Sequence, residues 1–188
     1  MDKKSLDIID ESLSSKAIQL LSEPIVVCFS AGLDSSMLLH WAIHSSKCCG
    51  ELHVVYCRHA MRSKAEEDQD IERLMNHPKI KIFTPYIIDL NAAKLKAGSE
   101  TKLRDLRQEA FINLAKQVGA KVVLTGHHKD DHAETLLMQL FRGTKTGFAG
   151  IKPLNAIKNV YFIRPLLVLS KQDLYASAKQ LGLVFNED

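Results

Sequence analysis

A doubly wound α/β fold, with a mainly parallel sheet and helices on both faces, follows from three features of this sequence. Short apolar runs rich in β-branched residues, at 25–29, 52–57 and 121–125, alternate with longer segments whose apolar residues recur at helical spacing. The links between them are short, and there is no internal repeat or low-complexity tract. Alternation of this kind argues parallel strands joined by crossover helices. The run Ile25 to Phe29 is also apolar throughout, as a strand buried on both faces must be. At 188 residues the chain reads as one domain, 1–188, large enough for a substantial core.

The elements follow in order. Leu6, Ile9, Leu13, Ala17, Leu20 and Leu21 recur at helical spacing, which predicts one amphipathic helix closed by Pro24. After the strand at 25–29, Met37, Leu38 and Trp41 mark a second helix. Ser45 to Gly50 reads as a linker and Leu52 to Cys57 as a strand. Ser63 and Glu66 have the spacing of a capping box and open a charged helix that Pro78 stops. Lys79 to Ile88 is a third strand region, interrupted by Pro85. Ser99 is placed to cap a helix with the stripe Leu103, Leu106, Ala110, Leu114 and Val118, ended by Gly119. Lys121 to Thr125 is the fourth strand. It enters Gly126 to Asp131, and then a helix carries Ala133, Leu136, Leu137, Leu140 and Phe141 on one side. Gly143 to Pro153 reads as a glycine-containing loop and Ile157 to Ile163 as one extended run. Ser170 caps a last helix, with Asp173 three residues on and Gly182 behind it.

Composition narrows the classes of function. Hydrophobic content of 46% and charged content of 25% suit a soluble globular protein. No apolar run approaches membrane-spanning length, and Met1-Asp2-Lys3-Lys4 leads into no signal-peptide core, so a cytoplasmic protein is expected. Cys28, Cys48, Cys49 and Cys57 form no Cys-x-x-Cys pair and read as reduced thiols. The net charge of +3 is mild, but its distribution is not. Between Thr135 and Gln172 there is no acid, while Arg142, Lys145, Lys152, Lys158, Arg164 and Lys171 all fall there. A solvated face would explain such a run; a one-signed stretch beside a binding rim also suits contact with phosphate backbones.

Parallel sheets bind ligands beyond the carboxyl ends of their strands. Ser30 to Ser36, Arg58 to Arg62 and Gly126 to Asp131 each follow a predicted strand, so all three fall on one rim. Strand, small-residue turn and helix aim free N–H groups and the positive helix end at an anion. An ordinary strand–helix link with Asp34 as N-cap has the same spacing. A methyl group at Ala31 makes positive φ costly just where the turn is tightest. On the second segment Asp131 and Glu134 share a helical face, with His127 just before them. Acids in a first turn commonly compensate the helix dipole. Asp34 and Asp131 would also make an adequate carboxylate pair for magnesium on substrate phosphates. Zinc on His127 and His128 is the other metal reading, with no thiolate nearby to support it.

The loop Ser30-Ala31-Gly32-Leu33-Asp34-Ser35-Ser36 is neither a Walker A loop nor a dinucleotide fingerprint. It resembles the Ser-Gly-Gly-x-Asp-Ser loop of the PP-loop ATP pyrophosphatases, with Ala31 at the usual second position. Gly126-His127-His128-x-Asp130-Asp131-x-x-Glu134-Thr135 is similar to the second hallmark of one branch, the tRNA isoleucine lysidine synthetases. His59 and Arg62 fit an Asn-His-Gly-Leu-Arg element, with Arg58, Ala60 and Met61 replacing the rest. Glu100, Arg104 and Arg107 fit a Glu-Ala-x-Ala-Arg-x-x-Arg-Tyr element, with Gln108 for the tyrosine. Arg142-Gly143-Thr144 and Gly147 to Ile151 correspond to a glycine-rich loop, one residue shorter here, and Arg164-Pro165-Leu166-Leu167 follows.

The resemblance runs from about Ile25 to the last residue. It implies an adenine-nucleotide α-hydrolase-like PP-loop domain that is the catalytic part of a longer protein, with tRNA-gripping domains beyond Asp188. The implied reaction adenylates O2 of the wobble cytidine in tRNA(Ile) with a CAU anticodon; the ε-amine of free L-lysine then displaces AMP. The implied cofactors are ATP and Mg2+. Ser30, Ala31, Gly32, Leu33, Asp34, Ser35 and Ser36 would cradle ATP, and Asp34 and Asp131 would hold the metal. Arg107 and His127 would stabilise phosphate charge or the cytidine, and Glu134 would position the lysine amine. Two other readings stay open: a PP-loop tRNA thiolase, and a nucleotide-binding module without catalysis.

Overall fold

The computed structural model describes residues 3–58, 63–90, 100–142 and 149–186. Six strands form one sheet: β1 (Ile25–Phe29), β2 (Leu52–Arg58), β3 (Phe83–Asp89), β4 (Val122–Leu124), β5 (Leu154–Ile157) and β6 (Val160–Ile163). Their order is β3-β2-β1-β4-β6-β5, parallel except for the edge strand β5. The helices are α1 (Lys3–Ser12), α2 (Ser15–Leu20), α3 (Leu33–His44), α4 (Lys64–Met75), α5 (Glu100–Gln117), α6 (Lys129–Arg142) and α7 (Lys171–Leu181). The doubly wound fold expected from the alternation of elements is the one observed.

β1 lies between β2 and β4, with Ile25 opposite both Leu52 and Val122. Its residues alternate between two cores. Ile25, Val27 and Phe29 pack with Met37, Leu38, Trp41 and Leu174 on the α3 and α7 side. Val26 packs with Leu103, Ile112, Ala115, Val123 and Phe162 on the α5 side. Period-2 alternation with both faces apolar is why the run reads as continuous hydrophobe. The chain leaves β1 for β2 and β3 on one side and returns to β4 on the other. The switch point therefore lies between β1 and β4, and the loops after these two strands open onto it.

Both capping boxes are present, Ser63 with Glu66 and Ser170 with Asp173, and Gly182 ends α7 in the left-handed region at φ 64°. The single N-terminal helix expected from spacing is instead two. Ser14 caps α2 by accepting the Ala17 N–H at 3.2 Å, and Ser12 Oγ donates to the Ile9 carbonyl at 2.7 Å. Serine side chains that bond the backbone locally compete with the helix and break it here. The third strand begins only at Phe83, because Ile80–Ile82 form a 3-10 turn. Pro85 is tolerated because β3 is an edge strand paired with β2 alone.

The run 157–163 is not one extended piece but part of the β5–β6 hairpin. Lys158 and Asn159, at φ 50° and 67°, make a two-residue turn of the kind that matches strand twist. The apolar side of α6 also departs from a packed stripe: Leu137, Leu140 and Phe141 are exposed, Phe141 by 84%. This helix is anchored at its first turns by polar contacts instead. Lys129 N–H donates to the Leu169 carbonyl at 2.9 Å, and Asp130 accepts the Lys171 N–H at 2.6 Å. The cap expected at Ser99 lies outside the described residues.

Two glycines separate steric from conformational need. Cys49 and Gly50 both donate to the Leu21 carbonyl, at 3.0 and 2.9 Å, and dock the linker on the end of α2. A methyl group at Gly50 would meet the Glu23 carbonyl oxygen at 1.8 Å. At Gly119 nothing lies within 4 Å, but φ is +71°. Gly119→Ala should cost about 1 kcal/mol from backbone strain alone. Gly50→Ala should cost about 3 kcal/mol, because backbone must move. Denaturant melts of the two variants measure the difference, and equal costs would mean that the Gly50 contact relaxes freely.

Candidate active site

The loop after β1 turns within three residues. Gly32 occupies the N-cap position of α3 with no side-chain cap, so Asp34 lies in the first helical turn and is not its cap. Ser35 Oγ accepts the Ser30 N–H at 3.1 Å and donates to the Gly32 carbonyl at 3.1 Å, which draws the helix start back onto the strand end. Ala31 adopts φ 60° despite its methyl group, a left-handed conformation that costs about 1 kcal/mol for alanine. Its carbonyl accepts the Asn186 N–H at 2.9 Å, and Gly32 forms an isolated parallel bridge with Asn186.

The loop after β4 meets it. Gly126 packs against Asp34 so closely that a methyl group there would sit 3.2 Å from the Asp34 carbonyl carbon. Thr125 Oγ1 and His127 Nδ1 are hydrogen-bonded at 2.9 Å. Burial, and then the Arg164 guanidinium, lower the His127 pKa from 6.5 to about 4. The imidazole is therefore neutral at pH 7, and the ring has one nitrogen left for a ligand.

His128 is buried and organises the carboxylates. Its Nε2 lies 3.7 Å from Asp34 Oδ2 and 3.7 Å from Asp131 Oδ2, so the two acids converge on one imidazole nitrogen. Asp131 also accepts the His128 N–H at 2.8 Å. His128 Nδ1 accepts the Asp130 N–H at 3.2 Å, which puts the proton of a neutral ring on Nε2, toward Asp34 and Asp131. Asp130 turns away from the cleft to accept the first N–H of α7.

The opposite wall is cationic. Arg104, Arg107, Gln108 and Phe111 share one face of α5 and line the same cleft, of about 580 Å³. Arg164 joins them from the end of β6. Its Nη1 donates to the Lys152 carbonyl at 2.7 Å and to Asn155 Oδ1 at 2.6 Å, while Nε is buried without a partner. Burial and the nearby Arg104 lower the Arg164 pKa. Cys28 and Cys57 form part of the lining. Burial raises both thiols, Cys57 to about 12 and Cys28 well above its usual value, so both remain protonated.

Of the residues singled out from sequence, Ser30, Gly32, Leu33, Asp34, Ser35, Arg107, His127 and Asp131 line this cleft together. Ala31 and Ser36 are buried and are not among the lining residues. Glu134 is exposed on α6 and is not among them either. His59, Arg62 and the glycine-rich segment 143–148, with Lys145, lie outside the described residues. Among the described residues no group of three or more His, Cys, Asp or Glu side chains is arranged as a metal site. Sequence reasoning missed Phe111, Phe162, Tyr56 and Asn186. Phe111 was accessible through its spacing from Arg104 and Arg107; Asn186 reaches the loop from the far end of the chain, and no local signal marks it.

The PP-loop domain model matches residues 7–188. A tRNA(Ile)-lysidine synthase of Enterococcus faecalis is 34% identical over 168 residues, covering 88% of this chain and 36% of that protein. One from Bdellovibrio bacteriovorus is 34% identical over 176 residues, covering 92% of this chain and 53% of that protein. The chain thus spans roughly a third to a half of the length of these relatives. Among solved structures, the U34-tRNA thiolase NcsA of Methanococcus maripaludis, with its [4Fe-4S] cluster, superimposes with a TM-score of 0.81 at 16% identity. That match covers 98% of this chain and 65% of that one. The phosphoadenylyl-sulfate reductase of Candida auris matches at TM-score 0.61 and 13% identity, covering 100% of this chain and 90% of that one. At these identities the structural likeness is one of fold.

The lowered histidines give a pH signature. His40, half-buried and stacked on His44 at 4.2 Å, is also lowered to about 4. Between pH 6.5 and about 4 the unfolded chain binds these protons and the native chain does not, so acidification favours unfolding. Stability should fall as pH drops through this window, and His127→Gln should flatten the slope between pH 6.5 and 5. Urea melts across that range measure it; an unchanged slope in the variant would mean that His127 titrates normally.

Proposed function

The chain belongs to the PP-loop family, and from that premise we propose that it binds magnesium–ATP in this cleft and uses it to convert the wobble cytidine of tRNA(Ile) to lysidine. The observation that carries the reading is a convergence at the switch point. The loop after β1 and the Asp131 turn after β4 present a carboxylate pair and the N-terminal end of α3 to a cationic wall. Its specific form, with tRNA(Ile) and lysine as substrates, is supported by the names of relatives that share a third of the sequence.

In this reading the N–H groups at the start of α3 and the Ser30 hydroxyl receive the phosphates, with helix polarity favouring negative charge. Asp34 and Asp131 are hard oxygen donors converging from two loops, a set that fits magnesium, which keeps waters and substrate phosphates as its other ligands. Bound there, the metal would screen charge on the phosphates. O2 of the cytidine attacks the α-phosphorus and pyrophosphate leaves. The ε-amine of lysine then attacks C2 of the activated base, and AMP leaves with the former O2. Arg104 and Arg107 oppose the charge that develops on the departing phosphates. His127, neutral, donates a hydrogen bond without adding a charge. Glu134, exposed on α6 a turn beyond Asp131, would receive the lysine amine as it enters.

A thiolase reading would draw on the likeness to a tRNA thiolase, which is one of fold. It needs reactive sulfur. The two thiols lining the cleft are held protonated by burial, which favours the ligase reading.

The loop has no Walker lysine, so cleavage should fall between the α- and β-phosphates. The complete protein with tRNA(Ile), lysine and α-³²P-labelled ATP should yield labelled AMP and no labelled ADP. Asp131→Asn should slow the reaction by about a hundredfold, roughly 3 kcal/mol of transition-state stabilisation, while leaving the fold intact. Labelled ADP as the main product, or full activity in the Asn variant, would sink the assignment.

A further inference from the structure

We propose that Asn186 is a positioning residue that clamps the phosphate-binding loop in its left-handed conformation, so that nucleotide affinity depends on a contact made far along the chain. The proposal rests on the reading that the loop after β1 receives nucleotide phosphates.

Among the described residues three that are not glycine have positive φ: Ala31, Lys158 and Asn159. The last two form the hairpin turn, where that geometry is required. Ala31 has no such turn to satisfy and no polar side chain to bond its own backbone, which is what usually makes this conformation accessible. Its surroundings must hold it. They do so through its carbonyl, which accepts the Asn186 N–H at 2.9 Å, and through the bridge between Gly32 and Asn186.

Asn186 is itself fixed at both ends of its amide. Nδ2 donates to Asp70 Oδ1 at 2.7 Å, and Oδ1 accepts from Arg73 Nη1 at 2.8 Å. Asp70 and Arg73 stand three apart on α4, so one helical face presents an acceptor and a donor side by side. The primary amide answers both from one short side chain, with its acceptor and its donor on separate atoms. Asp70 is buried, and its Oδ2 accepts the hydroxyl of Tyr56, which lies on β2 directly opposite Phe29 of β1. The segment reaches the loop because Gly182 turns the chain and Phe185 packs edge-on to Tyr175, with centroids 6.0 Å apart. A closed circuit results, running from loop to Asn186 to α4 to β2 and back to β1.

The circuit has a directional consequence. Across a trans peptide the carbonyl and the next N–H point opposite ways. Fixing the Ala31 carbonyl on Asn186 therefore directs the Gly32 N–H away from Asn186. Relaxing Ala31 to the right-handed region would rotate that peptide and lose the donor.

A double-mutant cycle on the full chain, read as the Kd for magnesium–ATP by titration calorimetry, tests this. Asn186→Ala should weaken binding about tenfold, or 1.4 kcal/mol. In an Ala31→Gly background the same change should cost less than about threefold, because glycine holds positive φ without the clamp. Arg73→Ala touches neither the loop nor the cleft and loosens only the far end of the clamp; it should weaken binding about threefold. Equal losses in the wild-type and Ala31→Gly backgrounds, or a lowered melting temperature with unchanged Kd, would overturn the clamp. Should Asn186→Ala not fold, unchanged affinity in Arg73→Ala overturns it alone. A wild-type chain that binds no magnesium–ATP would instead bring down the nucleotide reading, and the clamp with it.

Discussion

The site depends on β1 ending where it does. This strand is buried on both faces and flanked by strands on both edges, so it has no freedom to slide or tilt. A slip of one residue would exchange the side chains assigned to its two cores. Its register with β2 and β4 therefore fixes the height at which Ser30 leaves the sheet. Each other cleft element is placed relative to that height. Gly126 comes within contact of Asp34, His128 gathers two carboxylates, and the guanidiniums of α5 stand across the opening.

The electrostatics of the cleft are those of a receptor for a polyanion. Asp34 and Asp131 converge on one side while Arg104, Arg107 and Arg164 line the other. Bringing His127 to a neutral state removes a cation that would otherwise offset the charge of the two carboxylates. Burial does the same for the two thiols in the opposite sense, keeping sulfur uncharged in the cleft wall. Charge is thus divided between two walls of the cleft, and burial holds His127 and the two thiols neutral.

The layered fold was legible because its signals are local: apolar runs of strand length, capping residues at helix starts, and glycine behind helix ends. So was the pairing of the 30–36 loop with the 126–131 segment, since both follow strands of one parallel sheet. What sequence hid was local competition that periodicity does not register, and one long-range contact. Two serines split the first helix by a competition that periodicity does not register. The hairpin turn at Lys158-Asn159 uses residues without the glycine that usually announces it. The exposed side of α6 carries a core-like pattern but is held by its polar N-terminal contacts. Asn186 contributes through partners more than a hundred positions away.

These features share an energetic logic. Ala31 is strained, Arg104 and Arg164 repel each other, and the Arg164 Nε is buried without a partner. Each is unfavourable in the protein by itself. The nucleotide proposed for this cleft would give the crowded guanidiniums a shared counter-charge and the loop a ligand for its N–H groups. A site arranged this way gives up some stability of the empty state for differential affinity, because reorganisation has been done during folding and need not be done on binding. Ala31 and Arg164 break local rules beside the cleft, whereas Lys158 and Asn159 do so in a hairpin turn that requires it. Departures such as alanine in a glycine conformation mark the site as clearly as the motif does.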